Sequence, residues 1–373
     1  GVGIFHQLGE LGMLGGIHML VGVDVLADDI NVRVARVPVR VLTVPDPDQI
    51  VAAVDIDPKC LYEMETEYGV PKENCFCSVD DFFAQPQMAD IAFICTMDKE
   101  HYAHAIQAMK SGYHLLLEKP ISPDLNECKE IEAAAKKYNR HVIVCHVLRY
   151  TAFYKKIKEC LQAGVIGDIV SVQAIEAVAY WHQAHSFVRG NWHVAADTTP
   201  MILAKCCHDI DFLLWIGGSK CKKVSSFGSL RWFCEKNAPE GSAARCINCQ
   251  VETTCPYSAV HLYKERKEWI RNFDVPEGKT IDNVIDEELQ NGKFGRCVYH
   301  CDNDVTDHQV VNMELENETT ISFVVNAFTM DDLRATHIKM THGEIDGNEK
   351  TLRVRKFRGN EETVYDFSDL CGQ

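Results

Sequence analysis

The sequence predicts an α/β chain of two domains: a doubly wound parallel sheet, then a larger α+β domain. The length of 373 residues suggests two domains at about 150 residues each. Short apolar strands alternate with helices from Ile50 to Leu148, and this rhythm is typical of right-handed βαβ units on a parallel sheet. From Arg149 onwards, long strands with turn signals indicate antiparallel pairing. The predicted domains are therefore 1–148 and 149–373.

Local signals place the elements of the first domain in order. Residues 50–56 form the first clear strand, and Asp57 then supplies a helix cap ahead of a proline. The nearly continuous apolar run 89–96 predicts a strand that is buried on both faces of the sheet. Two further strands are predicted over 114–120 and 141–148, each preceded by a helix.

The second domain begins with a predicted helix over 152–164. The strands predicted after it cover 169–180, 222–233, 308–328, 337–345 and 351–359. The segment 235–306 interrupts the series and is rich in loops and cysteines. We expect the strands to form one large, mostly antiparallel open sheet.

The first fifty residues do not follow this pattern. A dinucleotide-binding unit needs a strand, a tight glycine turn and a helix before the strand at 50–56, but no intact G-x-G-x-x-G is present. The nearest match runs from Gln7 to Gly12. Two interpretations are open. In the first, Gly9 and Gly12 still form the phosphate-binding turn, and residues 25–47 are an insertion. In the second, the segment is not the family's native N-terminus, for example because the reading frame of the source sequence was altered.

Composition and charge exclude several classes of function. Lys and Arg number 38 against 54 Asp and Glu, a net charge of −16, so nucleic acid and anionic membranes are poor partners. No apolar run reaches the roughly 18 residues that a transmembrane helix needs, and the N-terminus lacks the features of a secretory signal. The 17 cysteines are scattered and odd in number, which favours reduced thiols and a cytoplasmic location.

Two residues at strand ends point to chemistry. Asp55 ends the strand at 50–56, where an acid accepts hydrogen bonds from an adenosine ribose and repels a 2′-phosphate; the alternative is a plain helix-capping acid. Lys119 ends a buried strand, where ligands bind in open α/β sheets. Its ammonium group could lower the pKa of a substrate hydroxyl. The alternative is a surface lysine whose stem packs on apolar groups.

Several motifs, in the same order and spacing, resemble those of the Gfo/Idh/MocA oxidoreductases. They are ICTMDKEHYAHA, EKP, GVIGDIVSVQ and CHDIDFLLWIGG, and the resemblance covers residues 50–359. It implies an N-terminal Rossmann domain that holds NAD or NADP, and a C-terminal open sheet that often forms an oligomer interface. Family members usually continue beyond a strand such as VYDF, so we expect further sequence after Gln373.

The resemblance also implies roles for individual residues. Thr96 and His101 match a strand end that lies along the nicotinamide ribose. Glu118 and Lys119 match the family's E-K-P, and Lys119 would contact both cofactor ribose and substrate. His208 matches the histidine of the family's D-x-G-x-H motif, which acts as general acid and base.

That last motif is altered in this chain. Ala204 stands at the position of its Asp and Cys206 at that of its Gly. We predict that Lys205 contacts the substrate in place of the missing acid. Oxidation of an alcohol needs a base for its proton and a fixed cation for the developing oxyanion, and His208 and Lys119 are the residue types for these roles.

Aromatic and polar residues are predicted to line the substrate cleft. Rings stack on the C–H faces of a sugar, and polar groups meet its hydroxyls. The alternative is that the tryptophans pack the domain junction. The predicted substrate-binding residues are Arg149, Tyr150, His185 and Trp192.

The cysteines of the segment 235–306 fall outside the resemblance. They have the order Cys246-x2-Cys249-x5-Cys255, followed by Cys297 and Cys301. Paired thiolates can hold a metal, but the spacing is not that of a zinc ribbon. Plain buried thiols, or disulfides formed after purification, are the alternative, and we assign no metal ligand from the sequence.

The sequence thus predicts a cytoplasmic, NAD-dependent oxidoreductase that acts on a secondary hydroxyl of a sugar, cyclitol or glycoside. NADP is the less favoured cofactor, and a homo-oligomer formed through the C-terminal sheet is expected. Two alternatives stay open. One is a glycosidase-like enzyme that oxidises, eliminates and re-reduces with a bound cofactor; the other is a non-catalytic nucleotide-sensing or scaffold protein.

Overall fold

The computed structural model describes residues 40–42, 50–267, 273, 275–276 and 278–370. They form two compact units that divide between Tyr150 and Thr151. None of the described helices is long and apolar enough to cross a bilayer.

The first unit contains a six-stranded sheet in the order β3-β2-β1-β4-β5-β6. Its strands are β1 Arg40–Leu42, β2 Ile50–Val54, β3 Cys75–Phe76, β4 Ile91–Ile94, β5 His114–Leu117 and β6 Val142–Val144. The pairs β2–β3, β4–β5 and β5–β6 are parallel. This order is that of a dinucleotide-binding sheet, so the predicted doubly wound architecture is confirmed.

One strand departs from the expected direction. β1 lies at the centre of the sheet but runs antiparallel to both neighbours, with Arg40 opposite Ala53 and Phe93. Its carboxyl end at Leu42 is therefore at the opposite edge from the carboxyl ends of β2 and β4. A turn leaving β1 does not lie at the edge where ligands bind in such sheets.

Within the described part of this unit, four helices connect the strands: α1 Pro58–Thr66, α2 Val79–Phe83, α3 His101–Lys110 and α4 Leu125–Tyr138. The predicted Asp57 cap is confirmed, since its carboxylate accepts from the Lys59 amide at 2.9 Å. Two apolar clusters hold the layers together. The larger joins β4 and β5 to α2, α3 and α4, and the smaller joins β2 to α1.

The second unit contains an eight-stranded sheet in the order β14-β13-β12-β11-β7-β10-β9-β8. Its strands are β7 Ile169–Ala179, β8 Cys221–Ser229, β9 His308–Leu315, β10 Thr320–Thr329, β11 Leu333–Met340, β12 Gly343–Gly347, β13 Thr351–Lys356 and β14 Glu362–Asp366. Every pair is antiparallel except β7–β10. The predicted mostly antiparallel sheet is confirmed.

The described helices of the second unit lie before and between these strands in the sequence. They are α5 Ala152–Gln162, α6 Tyr180–His182, α7 Met201–Ala204, α8 Cys207–Gly217 and α9 Ile281–Asn291, and a π-helix at Gln183–Arg189 continues α6. The described residues of the cysteine-rich segment form single turns and α9. It packs its own apolar cluster around Phe233, Tyr257 and Tyr263.

Candidate active site

The carboxyl ends of the parallel strands bring the predicted residues of the first unit to one edge. Asp55 follows β2, Thr96 lies just beyond β4, and Lys119 lies just beyond β5. Since parallel strands end at the same edge of a sheet, this edge is where an open α/β sheet binds a ligand. Gly9 and Gly12 lie outside the described residues.

Asp55 is a buried carboxylate directly at this edge. Its Oδ1 accepts a hydrogen bond from the Asp57 amide at 2.8 Å, which fixes the side chain at the start of α1. Burial, and then the contact with Asp55, raise the pKa of the Cys60 thiol to about 12. The next residue, Ile56, is 88% exposed, so an apolar surface stands beside the acid.

His101 ties together the ends of two strands. Its ring is fully buried, with Nδ1 2.7 Å from the Pro120 carbonyl and Nε2 2.8 Å from the Thr96 carbonyl. Both ring nitrogens thus face protein acceptors. The resemblance predicts a cofactor contact for His101, and this stays a prediction; within the protein, both ring nitrogens face backbone carbonyls, so the ring also positions the two strand ends.

Thr96 is held from the neighbouring helix. Its hydroxyl lies 3.1 Å from Nδ1 of His104 on α3. Burial lowers the pKa of His104 below its ordinary value. The His104 ring thus fixes the half-buried Thr96 side chain at the edge.

Glu118 and Lys119 occupy different environments although they are adjacent. Glu118 is buried, and its carboxylate accepts from the Lys119 amide at 3.1 Å. Burial raises the pKa of Glu118, although Lys119 and His101 act in the opposite direction. Lys119 is half-buried and precedes a cis peptide bond to Pro120. Glu118 thus fixes the backbone from which Lys119 extends.

A half-buried thiol lies beside this group. Cys145 follows β6 directly, close enough to Glu118 for the two acidic groups to influence each other. Burial raises the pKa of Cys145 well above its ordinary value, and the Glu118 carboxylate adds to the effect. Arg149 and Tyr150 follow in the 3-10 turn Val147–Tyr150, where both are half-buried.

In the second unit, His208 lies in the first turn of α8 and is buried. Lys205, between α7 and α8, is also buried, and its Nζ lies 3.3 Å from Oε1 of Glu176 on β7. The sequence predicts that Lys205 contacts the substrate in place of the missing acid, and this stays a prediction. Within the protein, Lys205 is paired with a buried carboxylate, since a buried ammonium group needs a counter-charge.

Glu176 belongs to an ionic network that sequence reasoning missed. Arg334 on β11 places Nε 2.7 Å from Glu176 Oε2 and 3.0 Å from Asp209 Oδ1. Burial raises the pKa of Asp209 to about 7, although Arg334 opposes the shift. One signal was present in the sequence: Glu176 is the single charged residue of the strand Ile169–Ala179.

The two predicted aromatic contacts of this unit have different surroundings. His185 is buried, with Nδ1 2.8 Å from the Tyr263 hydroxyl and its ring stacked on Phe294 at 4.2 Å. It therefore belongs to the aromatic packing of the cysteine-rich segment rather than to an open surface. Trp192 is half-buried and 6.4 Å from the ring of Phe187.

Two family models match the chain on either side of the division between the units. The model described as the oxidoreductase family with an NAD-binding Rossmann fold matches residues 32–146. The model of the GFO/IDH/MocA C-terminal domain matches residues 154–254.

Individual proteins agree with these matches. YteT of Bacillus subtilis, which is named as an oxidoreductase, is 24% identical over 312 residues, 81% of this chain and 70% of that protein. A 1-carboxy-3-chloro-3,4-dihydroxycyclohexa-1,5-diene dehydrogenase of Comamonas testosteroni is 22% identical over 65% of this chain and 62% of its own. The chain thus spans 62% to 70% of the length of these two relatives.

Solved structures show the same fold. A levoglucosan dehydrogenase in complex with NADH and L-sorbose has a TM-score of 0.61 at 18% identity, over 86% of this chain and 71% of its own. An oxidoreductase from Agrobacterium radiobacter in complex with NAD+, L-tartaric acid and magnesium has a TM-score of 0.58 at 14% identity. The match covers 86% of this chain and 72% of that one. With both domain models matched in order, the chain belongs to the GFO/IDH/MocA family of oxidoreductases, whose N-terminal domain is an NAD-binding Rossmann fold.

Proposed function

We propose that this chain is an NAD-dependent dehydrogenase that moves a hydride between nicotinamide and a secondary hydroxyl of a sugar, cyclitol or glycoside. The observation that carries the proposal is Lys119. Its backbone amide donates to the buried Glu118 carboxylate at the carboxyl edge, which supports a role in oxyanion stabilisation in a chain of this family.

The described residues fit NAD on the adenosine side. Asp55 offers a fixed carboxylate to ribose hydroxyls, and the same charge repels a 2′-phosphate. Ile56, 88% exposed beside it, offers an apolar surface to the adenine. When bound, the nicotinamide supplies the hydride chemistry.

The chain's own residues would handle the proton and the developing charge. Lys119 donates hydrogen bonds to the substrate oxygen and stabilises its negative charge as the C–H bond breaks. His208 accepts the hydroxyl proton in oxidation and returns it in reduction. Lys205 acts through Glu176 as a positioning residue for the turn that carries His208.

The substrate class is supported by two relatives and by the residue types of the proposed site. Levoglucosan dehydrogenase was solved with L-sorbose, and another relative by sequence is a 1,5-anhydro-D-fructose reductase, 26% identical over 113 residues. Arg149, Tyr150 and Trp192 are half-buried, so they remain the proposed contacts for substrate hydroxyls and ring faces. We propose a cytoplasmic location because every described cysteine is a free thiol.

Turnover tests the proposal directly. The full chain is incubated with NAD and a panel of sugars and cyclitols, and NADH formation is followed at 340 nm. Lys119→Ala and His208→Ala should each lower turnover by about 10²–10⁴-fold, with unchanged circular dichroism. Wild-type turnover in both variants would refute the assigned roles.

One observation favours a second candidate, a non-catalytic nucleotide-sensing or scaffold protein. The central strand β1 runs antiparallel, so the described residues supply no phosphate-binding turn at the carboxyl edge. The same assay separates the candidates, since a scaffold protein shows no cofactor turnover with any member of the panel.

A further inference from the structure

A group of cysteines in the second unit lies outside the proposed chemistry. Four of them line a single small pocket: Cys246, Cys249, Cys255 and Cys297. All four are free thiols, two buried and two half-buried. Four thiols around one cavity are the donor set that zinc and iron–sulfur centres use.

Backbone contacts, not contacts between the thiols, bring the four together. The 3-10 turn Cys246–Asn248 closes when the Cys249 amide donates to the Cys246 carbonyl at 3.1 Å. A second turn leads to Cys255, whose amide donates to the Val251 carbonyl at 3.0 Å. Cys297 comes from a distant part of the chain, and its amide donates to the Ala244 carbonyl at 2.9 Å. The cavity is thus built by the fold itself.

A buried arginine beside the cavity is a second, independent observation. Arg189 is 0% exposed, and its Nη2 lies 3.7 Å from Cys246 Sγ and 2.6 Å from the Tyr257 carbonyl. Its Nε donates to the Arg296 carbonyl at 2.7 Å, and its Nη1 has no hydrogen-bond partner.

The charge of Arg189 needs an explanation. Its hydrogen-bond partners among the described residues are two carbonyls and one sulfur, and none is a carboxylate. A guanidinium stays charged in proteins, and a buried charge without a counter-charge is costly. Thiolates fixed by a metal beside Cys246 would provide that counter-charge.

We propose that Cys246, Cys249, Cys255 and Cys297 bind a metal centre as thiolates, with Arg189 balancing its negative charge. Each thiol gives up its proton to solvent as it becomes a ligand. Within the described ranges, no three Cys, His, Asp or Glu side chains are already gathered as a single ion requires. A single zinc ion would therefore draw the two turns inwards, whereas a polynuclear iron–sulfur cluster takes thiolates that stand further apart.

Metal analysis of the full chain tests this proposal. The protein is purified anaerobically under reducing conditions, and zinc, iron and acid-labile sulfide are measured with the visible spectrum. One equivalent of zinc with no colour identifies an ion, and iron with matching sulfide and visible absorption identifies a cluster. Either result supports a thiolate-bound centre.

Matched variants locate the centre. Cys249→Ser should lose most of the metal, whereas Cys221→Ser, which alters an exposed thiol on β8, should retain it. Equal metal in the two variants would overturn the assignment, and so would a metal-free wild type.

A thiol count on the wild-type chain keeps the test independent of folding in the variants. A chelator should raise the number of thiols that react with a disulfide reagent by four, and ZnCl2, or ferrous iron with sulfide, should protect them again. No change on chelation, or a mass lower by the hydrogens of a disulfide, would contradict the proposal.

Discussion

Single buried polar residues fix the edge of the first sheet. His101 joins the ends of β4 and β5 through two carbonyls, and Glu118 fixes the backbone of Lys119. The sequence could identify these residues only by resemblance to a family motif. The sequence could not show whether such a residue contacts a ligand or only positions the backbone, because this depends on which atoms pack against its side chain.

Because His101 positions the ends of β4 and β5, its removal should destabilise the fold. His101→Ala removes the ring N–H that one of the two facing carbonyls, of Thr96 or Pro120, accepts, which should lower the free energy of unfolding by about 1–3 kcal/mol. Urea denaturation of the full chain measures it. His300→Ala, at an exposed histidine, should change it by no more than about 0.5 kcal/mol. Equal effects would show that the two carbonyl contacts are not stabilising.

The raised pKa of Asp209 predicts a pH dependence. Its carboxyl titrates near 7 in the folded chain against 3.8 for the ordinary group, so folding takes up a proton between these values. The native state therefore loses stability as pH rises from about 4 to 7. Asp209→Asn should remove this part of the decrease, as measured by urea unfolding at pH 5 and pH 8. A variant that loses as much stability as the wild type would contradict it.

At the scale of elements, the sequence predicts features that depend on neighbouring residues better than features that depend on distant ones. Strands β2, β4, β5 and β6 and the Asp57 cap follow from short patterns, since caps and apolar runs depend on neighbouring residues. The direction of β1 depends on partners far along the chain, so the sequence could not give it. The ionic network around Arg334 joins β7, β11 and α8 and was invisible for the same reason.

This network predicts a coupling between two buried residues. Glu176→Gln leaves the buried Lys205 ammonium without its partner, and breaking such a pair costs about 3–5 kcal/mol. Adding Lys205→Met should recover part of that loss in a double-mutant cycle. Turnover should fall in the single variant while NADH affinity stays unchanged. Additive losses would show that the two residues do not interact.

At the scale of the whole molecule, two units with separate cores account for the family assignment. Both domain models match in order, and both predicted sheets are present. The site was predicted less completely than the fold. Asp55, Thr96 and Lys119 lie at the expected edge, whereas Lys205 and His185 are occupied by partners inside the protein.

The open sheet of the second unit supports a prediction of self-association. Val224 and Phe227 on the edge strand β8 are 64% and 72% exposed, and exposed apolar strands favour pairing with another copy. Light scattering should give a mass above the 42.1 kDa of one chain. Phe227→Lys should lower that mass, with Lys222→Gln on the same strand as the control. A monomeric wild type would contradict the prediction.

The central claim, an NAD-dependent dehydrogenase, is tested most directly by cofactor binding. NADH and NADPH are titrated separately into the full chain and into Asp55→Ala, and binding is followed by nicotinamide fluorescence. We expect saturable binding of NADH at least about tenfold tighter than NADPH, which corresponds to about 1.4 kcal/mol, and a smaller preference in the variant. No saturable binding of either cofactor, or NADPH binding as tight as NADH, would contradict the claim.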